Sequence, residues 1–382
     1  MVYENHGDLY LQDGTKPSIQ RTHSGKDRDP ILSDDGGKIV FYRGDAFDNV
    51  YSINADGSKE QALIKSKSLP VLGRGDVKNL TFVPGTHYIL FNTYICNPQV
   101  HLYVAADCTV GIYIVDTDSA KMSELVAGLH GDRMQGRNFE VSPNGTWISV
   151  ADSGHVDIYS LNLYSGSAEI WIPDVILYNR TKPNEFLPQQ YWLPDSSGVI
   201  AIIASDLYNE PGTPPQTYAA FRYKLYDKAI QIPLDPSPMW VGGFCYFSVS
   251  PDRNWIIYIN GNETISVYLG DLNDGQVENY VGDDCSFQGV YSWSPDSRHF
   301  SNSFLVNGSI GAVDIGAVDG PPLHIGGIFV GWIDASHYVY DVIKDKVFVE
   351  TRIGEIGGQS MALPKGFHWS NLFVVLPPKT EP

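Results

Sequence analysis

Ten histidines are distributed along the chain without the spacing that metalloenzyme helices use. Neither a His-x-x-x-His nor a His-Glu-x-x-His pattern occurs, which excludes a zincin-type zinc site. Separate repeats of a fold could still bring ligands together, and the histidines that could take part are His101, His130, His299 and His337. A surface or core position is the commoner role of each, so the sequence predicts no metal site.

Acidic clusters at 27–29, 34–35 and 283–284 offer paired carboxylates, the groups that glycoside hydrolysis or a calcium ion would need. Turn formation already explains Asp34 and Asp35, and no EF-hand spacing occurs. A Gly-x-Ser-x-Gly nucleophile elbow is also missing from the sequence. These patterns favour a protein that is not an enzyme and has no cofactor, with a structural or channel ion such as calcium as the alternative left open.

The four cysteines lack the Cys-x-x-Cys spacing of zinc and redox sites. Cys96 and Cys108 flank a loop between two predicted strands, where a disulfide would close and stiffen the loop. Buried free thiols are the other interpretation that the sequence leaves open.

The formal net charge of −18 opposes binding to nucleic acid or to anionic lipid. No apolar run approaches the roughly 20 residues that a membrane-spanning helix needs, so we expect no direct membrane insertion. The sequence opens on strand-like residues at Met1 with no visible signal peptide. We therefore expect a mature or excised segment. We also expect the protein to be extracytoplasmic, whether periplasmic, secreted or on the cell surface.

Two kinds of tight turn alternate along the chain and indicate an internal repeat. The first kind, rich in Pro, Asp and Gly, begins at Ser33, Val83, Ser142, Leu193, Ser250, Ser294, Ile333 and Trp369. The second kind begins at Gln12, Asn54, Asp116, Leu163, Tyr226, Asn273, Val318 and Glu355. Two hairpins per repeat give four antiparallel strands, which is the unit of a propeller blade.

The predicted fold is all-β, a single β-propeller of about eight four-stranded blades, with seven as the alternative. Because the chain begins with a turn of the second kind and ends with one of the first, one blade is predicted to combine 1–22 with 366–376, with two strands from each end. Such pairing of the N- and C-terminal strands would close the fold and remove an open sheet edge. The other blades are predicted at 29–64, 79–127, 138–172, 189–233, 244–280, 289–325 and 329–363.

The repeat resembles the WD40-like (PD40-type) repeat of TolB-like propellers, in which a Ser-Pro-Asp-Gly turn precedes an apolar strand and an Ile-Tyr-x-x-Asn-x-Asp-Gly segment. The best copy runs from Asp29 to Tyr42 and continues from Val50 to Ser58. The resemblance implies the propeller fold. The family includes periplasmic scaffold components and the gating propellers of prolyl-oligopeptidase-like peptidases, and nothing in this chain resembles the hydrolase domain of those peptidases.

The loops that enter the innermost strands of a propeller meet at one rim of its central channel, and such loops commonly carry function. The residues predicted there are Asp27, Arg28, Asp29, Lys78, Asn79, Arg137, Asn138, Gln189, Gln190, Phe244, Gln288 and Trp332. Insertions at 92–109 and 206–217 would add the aromatic side chains of Tyr94, Tyr103 and Tyr208 to the same rim.

The predicted function is non-catalytic binding or scaffolding, in which the rim loops hold a protein or polysaccharide partner. The alternative is a propeller hydrolase or lyase that acts on a polysaccharide through channel carboxylates or histidines, with or without a divalent ion.

Overall fold

A computed structural model describes most of the chain. The described residues are 2–12, 17–44, 49–65, 77–96, 108–131, 139–152, 155–177, 189–204, 217–238, 240–241, 244–245, 247–260, 266–281, 292–306, 309–325, 327–344, 347–363 and 373–374. Within these ranges the regular elements are all β-strands. In the same ranges no helix is long and apolar enough to cross a membrane. The chain divides into two compact units, one of 1–203, 223–229 and 372–376, the other of 204–222, 230–371 and 377–382.

The first unit holds the N-terminal strands and the last strand of the chain. These strands are β1 (Val2–Asn5), β2 (Asp8–Leu11), β3 (Ile19–Gln20), β4 (Asp27–Leu32), β5 (Lys38–Arg43), β6 (Val50–Asn54), β7 (Gln61–Ile64), β8 (Val77–Phe82), β9 (Tyr88–Cys96), β10 (Cys108–Asp116), β11 (Met122–Gly131), β12 (Phe139–Val141), β13 (Trp147–Asp152), β14 (His155–Asn162), β15 (Ser167–Leu177), β16 (Gln189–Trp192), β17 (Gly198–Ala204) and, at the C-terminus, β34 (Phe373–Val374).

The second unit holds the remaining strands, apart from the last two residues of β18, which belong to the first unit. They are β18 (Tyr218–Lys224), β19 (Ile230–Ile232), β20 (Trp240–Val241), β21 (Phe244–Cys245), β22 (Phe247–Val249), β23 (Trp255–Asn260), β24 (Ser266–Asp271), β25 (Val277–Val281), β26 (Ser292–Trp293), β27 (His299–Val306), β28 (Ser309–Ala317), β29 (Gly320–Ile325), β30 (Gly327–Trp332), β31 (His337–Lys344), β32 (Val347–Glu355) and β33 (Ser360–Ala362).

These strands form eight four-stranded antiparallel sheets, which is the arrangement of an eight-bladed β-propeller. The strand orders are β34-β1-β2-β3, β4-β5-β6-β7, β8-β9-β10-β11, β12-β13-β14-β15, β16-β17-β18-β19, β22-β23-β24-β25, β26-β27-β28-β29 and β30-β31-β32-β33. Numbered in this order, they are blades 1 to 8. A short pair, β20-β21, precedes blade 6. The prediction of eight blades is confirmed, and the alternative of seven is wrong.

Within each unit, apolar clusters lie between successive blades, because the second and third strands of a blade carry apolar side chains on both faces. In blade 2, Ile39, Val40 and Phe41 are all fully buried. Val40 belongs to one apolar cluster with Phe91 of blade 3, whereas Phe41 belongs to another with Val2 of blade 1. Alternate side chains of one strand therefore pack against opposite neighbouring blades.

Blade 1 is built from both chain ends, as predicted, but the share of each end differs from the prediction. Val2 pairs with Val374, and Tyr3 pairs with Phe373. The sequence predicted two strands from each end, whereas the structure takes β1, β2 and β3 from the N-terminus and β34 from the C-terminus. The reason is a tight turn at His6 and Gly7, both with positive φ, which folds Val2–Asn5 back onto Asp8–Leu11.

Candidate functional site

The start of each innermost strand lies beside the hairpin that joins the second and third strands of the same blade. In blade 2, Asp27 pairs with Arg43, and in blade 3, Val77 pairs with Thr93. We call this end of a blade the entry end, and the end with the first kind of turn the turn end. Most of the predicted rim residues that the structure describes lie at the entry end.

Asp27 anchors the entry end of blade 2. Its side chain is fully buried and accepts hydrogen bonds from Arg43, with Nε at 2.5 Å from Oδ1. The same guanidinium pairs with Glu60 at 2.6 Å and lies 4.4 Å from the centre of the Tyr51 ring. Because all of these partners belong to blade 2, Asp27 and Arg43 stabilise that blade.

Asp29 and Arg28 occupy a β-bulge in the innermost strand of blade 2, where the register shifts between Arg28 and Ile31. Asp29 has a φ of 49°, a left-handed conformation that Asp tolerates better than most residues. Burial raises the pKa of the Asp29 carboxyl, and the nearby charge of Arg28 offsets this only in part. Asp29 is therefore a partly desolvated carboxyl held by backbone geometry.

Glu4, in β1 of blade 1, is the second partly desolvated carboxyl of this region, and the sequence analysis missed it. Burial raises the pKa of Glu4, and the charges of Asp29 and Asp27 raise it further. A hydrogen bond from the Gly7 amide and the charge of Arg28 act in the opposite direction. We call Glu4, Arg28 and Asp29 the entry cluster. Its signal was invisible in the sequence, because the other N-terminal strands of blade 1 separate Glu4 from Asp29 along the chain.

Blade 3 repeats the bulge of blade 2 with an amide in place of the carboxyl. The register shifts between Lys78 and Thr81, and Asn79 has a φ of 57°. The Asn79 Nδ2 donates to Oδ1 of the buried Asn92 at 2.9 Å. Asn79 therefore occupies the position in blade 3 that Asp29 occupies in blade 2, and Lys78 precedes it as Arg28 precedes Asp29.

Blade 5 also places polar residues at its entry end. Gln189 and Gln190 are the first residues of β16, where they pair with Ile202 and Ala201. Gln189 is exposed and accepts a hydrogen bond from the Tyr191 hydroxyl at 2.9 Å, whereas Gln190 is buried. Both residues therefore lie at the start of the innermost strand of blade 5, and their role at a binding rim stays a prediction.

Two predicted rim residues lie elsewhere. Trp332 is the last residue of β30, whose first residue is Gly327, so it lies at the turn end of blade 8. It is 8% exposed, and its Nε1 donates to the carbonyl oxygen of Ser292 at 3.0 Å, so it is a core residue. Phe244 belongs to the short β21 and pairs with Val241, while the innermost strand of blade 6 begins at Phe247. In both cases the prediction placed the start of the innermost strand at an aromatic residue near the turn, whereas the strand begins at another residue.

The remaining predicted site residues fall partly or wholly outside the described structure. Tyr94 lies in β9, but its side chain is outside the described part, as is that of His130 in β11. The predicted residues outside the described ranges are Arg137, Asn138, Gln288, Tyr103, Tyr208 and the candidate ligand His101.

The two described histidine candidates lie at turn ends. His299 and His337 each follow the first turn of their blade, in blades 7 and 8. The His337 Nδ1 pairs with Asp334 of its own turn at 2.9 Å. The pairing with Asp334 explains His337 by local turn structure, whereas the buried Nδ1 of His299 has no hydrogen-bond partner among the described residues.

The backbone places Cys96 and Cys108 directly opposite each other in the antiparallel pair β9 and β10. This register agrees with the predicted disulfide, which stays a prediction.

One group of three side chains within the described ranges could hold a metal ion, and the sequence analysis did not propose it. His155, Asp157 and Asp174 lie at the entry end of blade 4, and one ligand atom of each lies within 4.8 Å of the other two. The spacing of His155 and Asp157 is two residues, but Asp174 comes from the next strand and carried no signal in the sequence.

No family model matches the chain, and no curated protein matches it. Among solved structures, the chain is similar to an oligogalacturonate lyase in complex with manganese, with a TM-score of 0.50 and 13% identity over 83% of this chain and 81% of that one. It is also similar to a prolyl endopeptidase, with a TM-score of 0.54 and 14% identity over 88% of this chain and 49% of the other. TolB from Acinetobacter baumannii matches with a TM-score of 0.38 and 15% identity over 78% and 62%.

The similarities to the oligogalacturonate lyase and the prolyl endopeptidase show the fold alone, because the sequence identity is low in both cases. The chain has the β-propeller fold. The finer resemblance to the TolB-like repeat stays a prediction, and the activities named for the other proteins do not transfer with the fold.

Proposed function

We propose that this protein is a non-catalytic, extracytoplasmic binding propeller that holds a protein or polysaccharide partner at the entry ends of its blades. The observation that carries the proposal is the entry cluster, in which two partly desolvated carboxyls flank Arg28. Donors and acceptors in the neighbouring blade support it, since Asn79 and Lys78 occupy the equivalent bulge of blade 3.

The chemistry of the entry cluster suits a neutral or cationic polar ligand. A carboxylate that has lost part of its hydration gains most from a donor that replaces the missing water, such as a sugar hydroxyl or a peptide amide. Arg28 and Lys78 add positive charge that attracts ligand oxygens. The net charge of −18 opposes nucleic acid as the partner.

Bulged strands also give the cluster the rigidity that recognition needs. Asp29 and Asn79 are fixed in left-handed conformations inside paired strands. Groups held in this way lose little conformational freedom when a ligand binds, which favours affinity.

The alternative is a polysaccharide hydrolase or lyase that uses Glu4 and Asp29. One specific observation favours it, namely that burial raises the pKa of both carboxyls, as a general acid requires. The two proposals differ in outcome, since only the alternative consumes its ligand.

The test is binding of the full chain to a panel of uronate-containing and neutral glycans, with a parallel protein pull-down, for wild type and Asp29→Asn. Asparagine keeps the left-handed bulge and removes the charge, so we expect at least about a tenfold loss of affinity. The matched control is Asp319→Asn, which removes an exposed carboxyl paired with Arg298 at 2.8 Å at a turn end.

Equal loss of affinity in both variants, or none in Asp29→Asn, contradicts the proposed site. Turnover of a glycan that Asp29→Asn abolishes replaces the binding proposal with the alternative.

A further inference from the structure

His155, Asp157 and Asp174 occupy one corner of blade 4. His155 is the first residue of β14, and Asp157 lies two residues later, so both side chains point to the same face of the strand. Asp174 lies in the neighbouring β15, whose register against β14 shifts between Val156 and Ile158. The bulge brings Asp174 to Asp157, and Asp174 adopts a φ of 51°.

The donor atoms are already close to the spacing of metal ligands. The His155 Nε2 lies 3.3 Å from Oδ2 of Asp157. Two ligands bound tetrahedrally at about 2.1 Å from a zinc ion lie about 3.4 Å apart. The Asp174 backbone amide donates to Oδ1 of Asp157 at 2.8 Å, which fixes that carboxylate and leaves Oδ2 directed to His155.

Among the described residues, no lysine or arginine forms an ion pair with Asp157 or Asp174, so His155 is the one basic side chain beside these carboxylates. The side chain of Asp157 is 11% exposed, yet its one ion pair among described residues is with His155. Asp174 adds a second carboxylate within 4.8 Å. Two carboxylates this close, one of them nearly buried, repel each other unless a cation lies between them.

We propose that His155, Asp157 and Asp174 bind a divalent transition-metal ion of the Zn²⁺ class. An imidazole nitrogen favours zinc and similar transition metals, such as copper, iron and nickel, over calcium and magnesium. The latter two prefer ligand sets made of oxygen alone. Asp174 is exposed and His155 is partly exposed, so the ion has access to solvent and keeps a coordination position for water or a ligand.

This site is separate from the entry cluster and does not depend on the proposed function. It involves one blade, and the ion would join the β13–β14 hairpin to the outermost strand of that blade.

The experiment uses the untagged full chain, freed of metal by a chelator, and isothermal titration with Zn²⁺, Mn²⁺ and Ca²⁺ separately. We expect one Zn²⁺ per chain, weaker binding of Mn²⁺, and no saturable binding of Ca²⁺ at the same site. Asp157→Asn and His155→Gln should each weaken Zn²⁺ binding at least about tenfold. X-ray absorption at the zinc edge should show a single imidazole ligand in wild type and none in His155→Gln.

The control variant is His324→Gln, which breaks another His–Asp pair, 2.6 Å from Nδ1 to Oδ1 of Asp314, that has no third ligand among the described residues. Zn²⁺ binding should be unchanged in this variant. Circular dichroism checks the fold of each variant, and if Asp157→Asn does not fold, the exposed Asp174→Asn takes its place.

The proposal is overturned if Zn²⁺ does not saturate the wild-type chain, if Asp157→Asn or its substitute binds as tightly as wild type, or if Ca²⁺ binds as tightly as Zn²⁺. Equal loss in His324→Gln would also overturn it.

Discussion

The serine that begins the first turn of a blade is buried and closes that turn through two hydrogen bonds of its hydroxyl group. Ser250 is fully buried. Its hydroxyl donates a hydrogen bond to Oδ1 of Asp252 at 2.5 Å and accepts one from the backbone amide of Trp255 at 2.9 Å. The same pair of bonds recurs at Ser33, Ser142 and Ser294. The Ser-Pro-Asp motif is therefore a hydrogen-bonded closure of the turn, and its carboxylates are occupied by that role.

Ser250→Ala should lower the free energy of unfolding by about 1–3 kcal/mol, because it leaves the partly buried Trp255 amide without its acceptor. Urea denaturation measures the change. The control Ser165→Ala removes an exposed hydroxyl and should change stability by less than about 0.5 kcal/mol. Equal effects of the two substitutions would show that the buried hydrogen bonds contribute little.

His87 joins the turns of blades 2 and 3 at their turn ends. Its Nδ1 lies 2.9 Å from Asp118 and its Nε2 lies 3.2 Å from Asp35, while Lys38 also pairs with Asp118 at 2.8 Å. The hydrogen bonds to Asp118 and Asp35 raise the pKa of His87. The hydrogen bonds from Ser33 and Gly37, with a smaller contribution from His87, lower the pKa of Asp35 to about 2.

Wild type should be more stable than His87→Gln at about pH 6, and the difference should shrink as pH rises. The pKa of His87 is higher in the folded than in the unfolded state. Its contribution to stability is therefore complete at pH values below the unfolded pKa, and it is lost as the pH rises through the folded pKa. Solvent reaches the ring, which limits the contribution to about 1 kcal/mol or less. Thermal melts of both proteins from about pH 5 to about pH 9 measure the difference.

Asp35, which pairs with His87, contributes to stability down to acidic pH. The pKa of Asp35 is lowered, so its contribution to stability is present above its unfolded pKa and is lost only as pH falls toward about 2.

In an Asp118→Asn background, the loss of stability caused by His87→Gln should be smaller at every pH. An unchanged effect would exclude Asp118 as the main partner.

Tryptophans in innermost strands join successive blades at the level of whole strands. The Trp192 Nε1 donates to the carbonyl oxygen of Glu140 at 3.0 Å, and Trp293 and Trp332 make equivalent bonds to Ser248 and Ser292. Each bond links a strand to the matching strand of the preceding blade. The repeat thus fixes the contact between neighbouring strands by a hydrogen bond as well as by apolar packing.

Trp192→Phe should destabilise the protein by about 2–4 kcal/mol, because it removes a buried hydrogen bond and leaves a cavity beside Trp147. The control Trp171→Phe also removes an Nε1 hydrogen bond, to the Tyr226 hydroxyl at 2.9 Å, but Trp171 is 55% exposed. Its effect should stay below about 1 kcal/mol. Chemical denaturation of the two variants compares a buried site with an exposed one, and similar losses would contradict this view of the blade contact.

The register of β9 and β10 leads to a prediction about cysteine oxidation. Directly opposed residues of an antiparallel pair have Cβ atoms about 4.5–5.5 Å apart, close to the separation in a disulfide. In protein prepared under oxidising conditions, Cys96 and Cys108 should resist alkylation until a reductant is added. Peptide mapping tests this, and alkylation of both residues without reductant would favour the free thiols.

At the scale of the whole molecule, the pairing of β1 with β34 determines how the chain ends are held. Val2 is fully buried and Tyr3 is 8% exposed, although both lie within three residues of the N-terminus. Their strand would be a sheet edge without β34, and unpaired edges promote association between chains.

Deletion of 373–382 should therefore lower the thermal midpoint by several degrees, about 5 °C, and increase self-association. A chain that ends at Val374 keeps both described pairs, Val2 with Val374 and Tyr3 with Phe373, and is the matched control. Calorimetry and size-exclusion chromatography measure the two effects. Identical behaviour of the two truncated chains would show that β34 adds nothing to stability.

The sequence by itself determined the repeat and the pairing of the chain ends, and it predicted about eight blades with seven left open. These features depend on local chemistry, since turns beginning at residues such as Ser142 and Ser294 mark strand ends whatever surrounds them. Local turn signals also located Asp27 to Asp29, Lys78 and Asn79 at the entry ends. The same signals failed at Trp332, where an aromatic residue before a turn can end a strand as easily as begin one.

Only the tertiary structure decided which side chains act together. Glu4 reaches Asp29 because neighbouring blades pack through apolar faces, and Asp174 reaches Asp157 because a bulge shifts one strand against the next. Both groupings join residues from different strands, and their positions depend on register. A shift of one residue would move every side chain to the opposite face, so the spacing of residues along the sequence could not reveal either site.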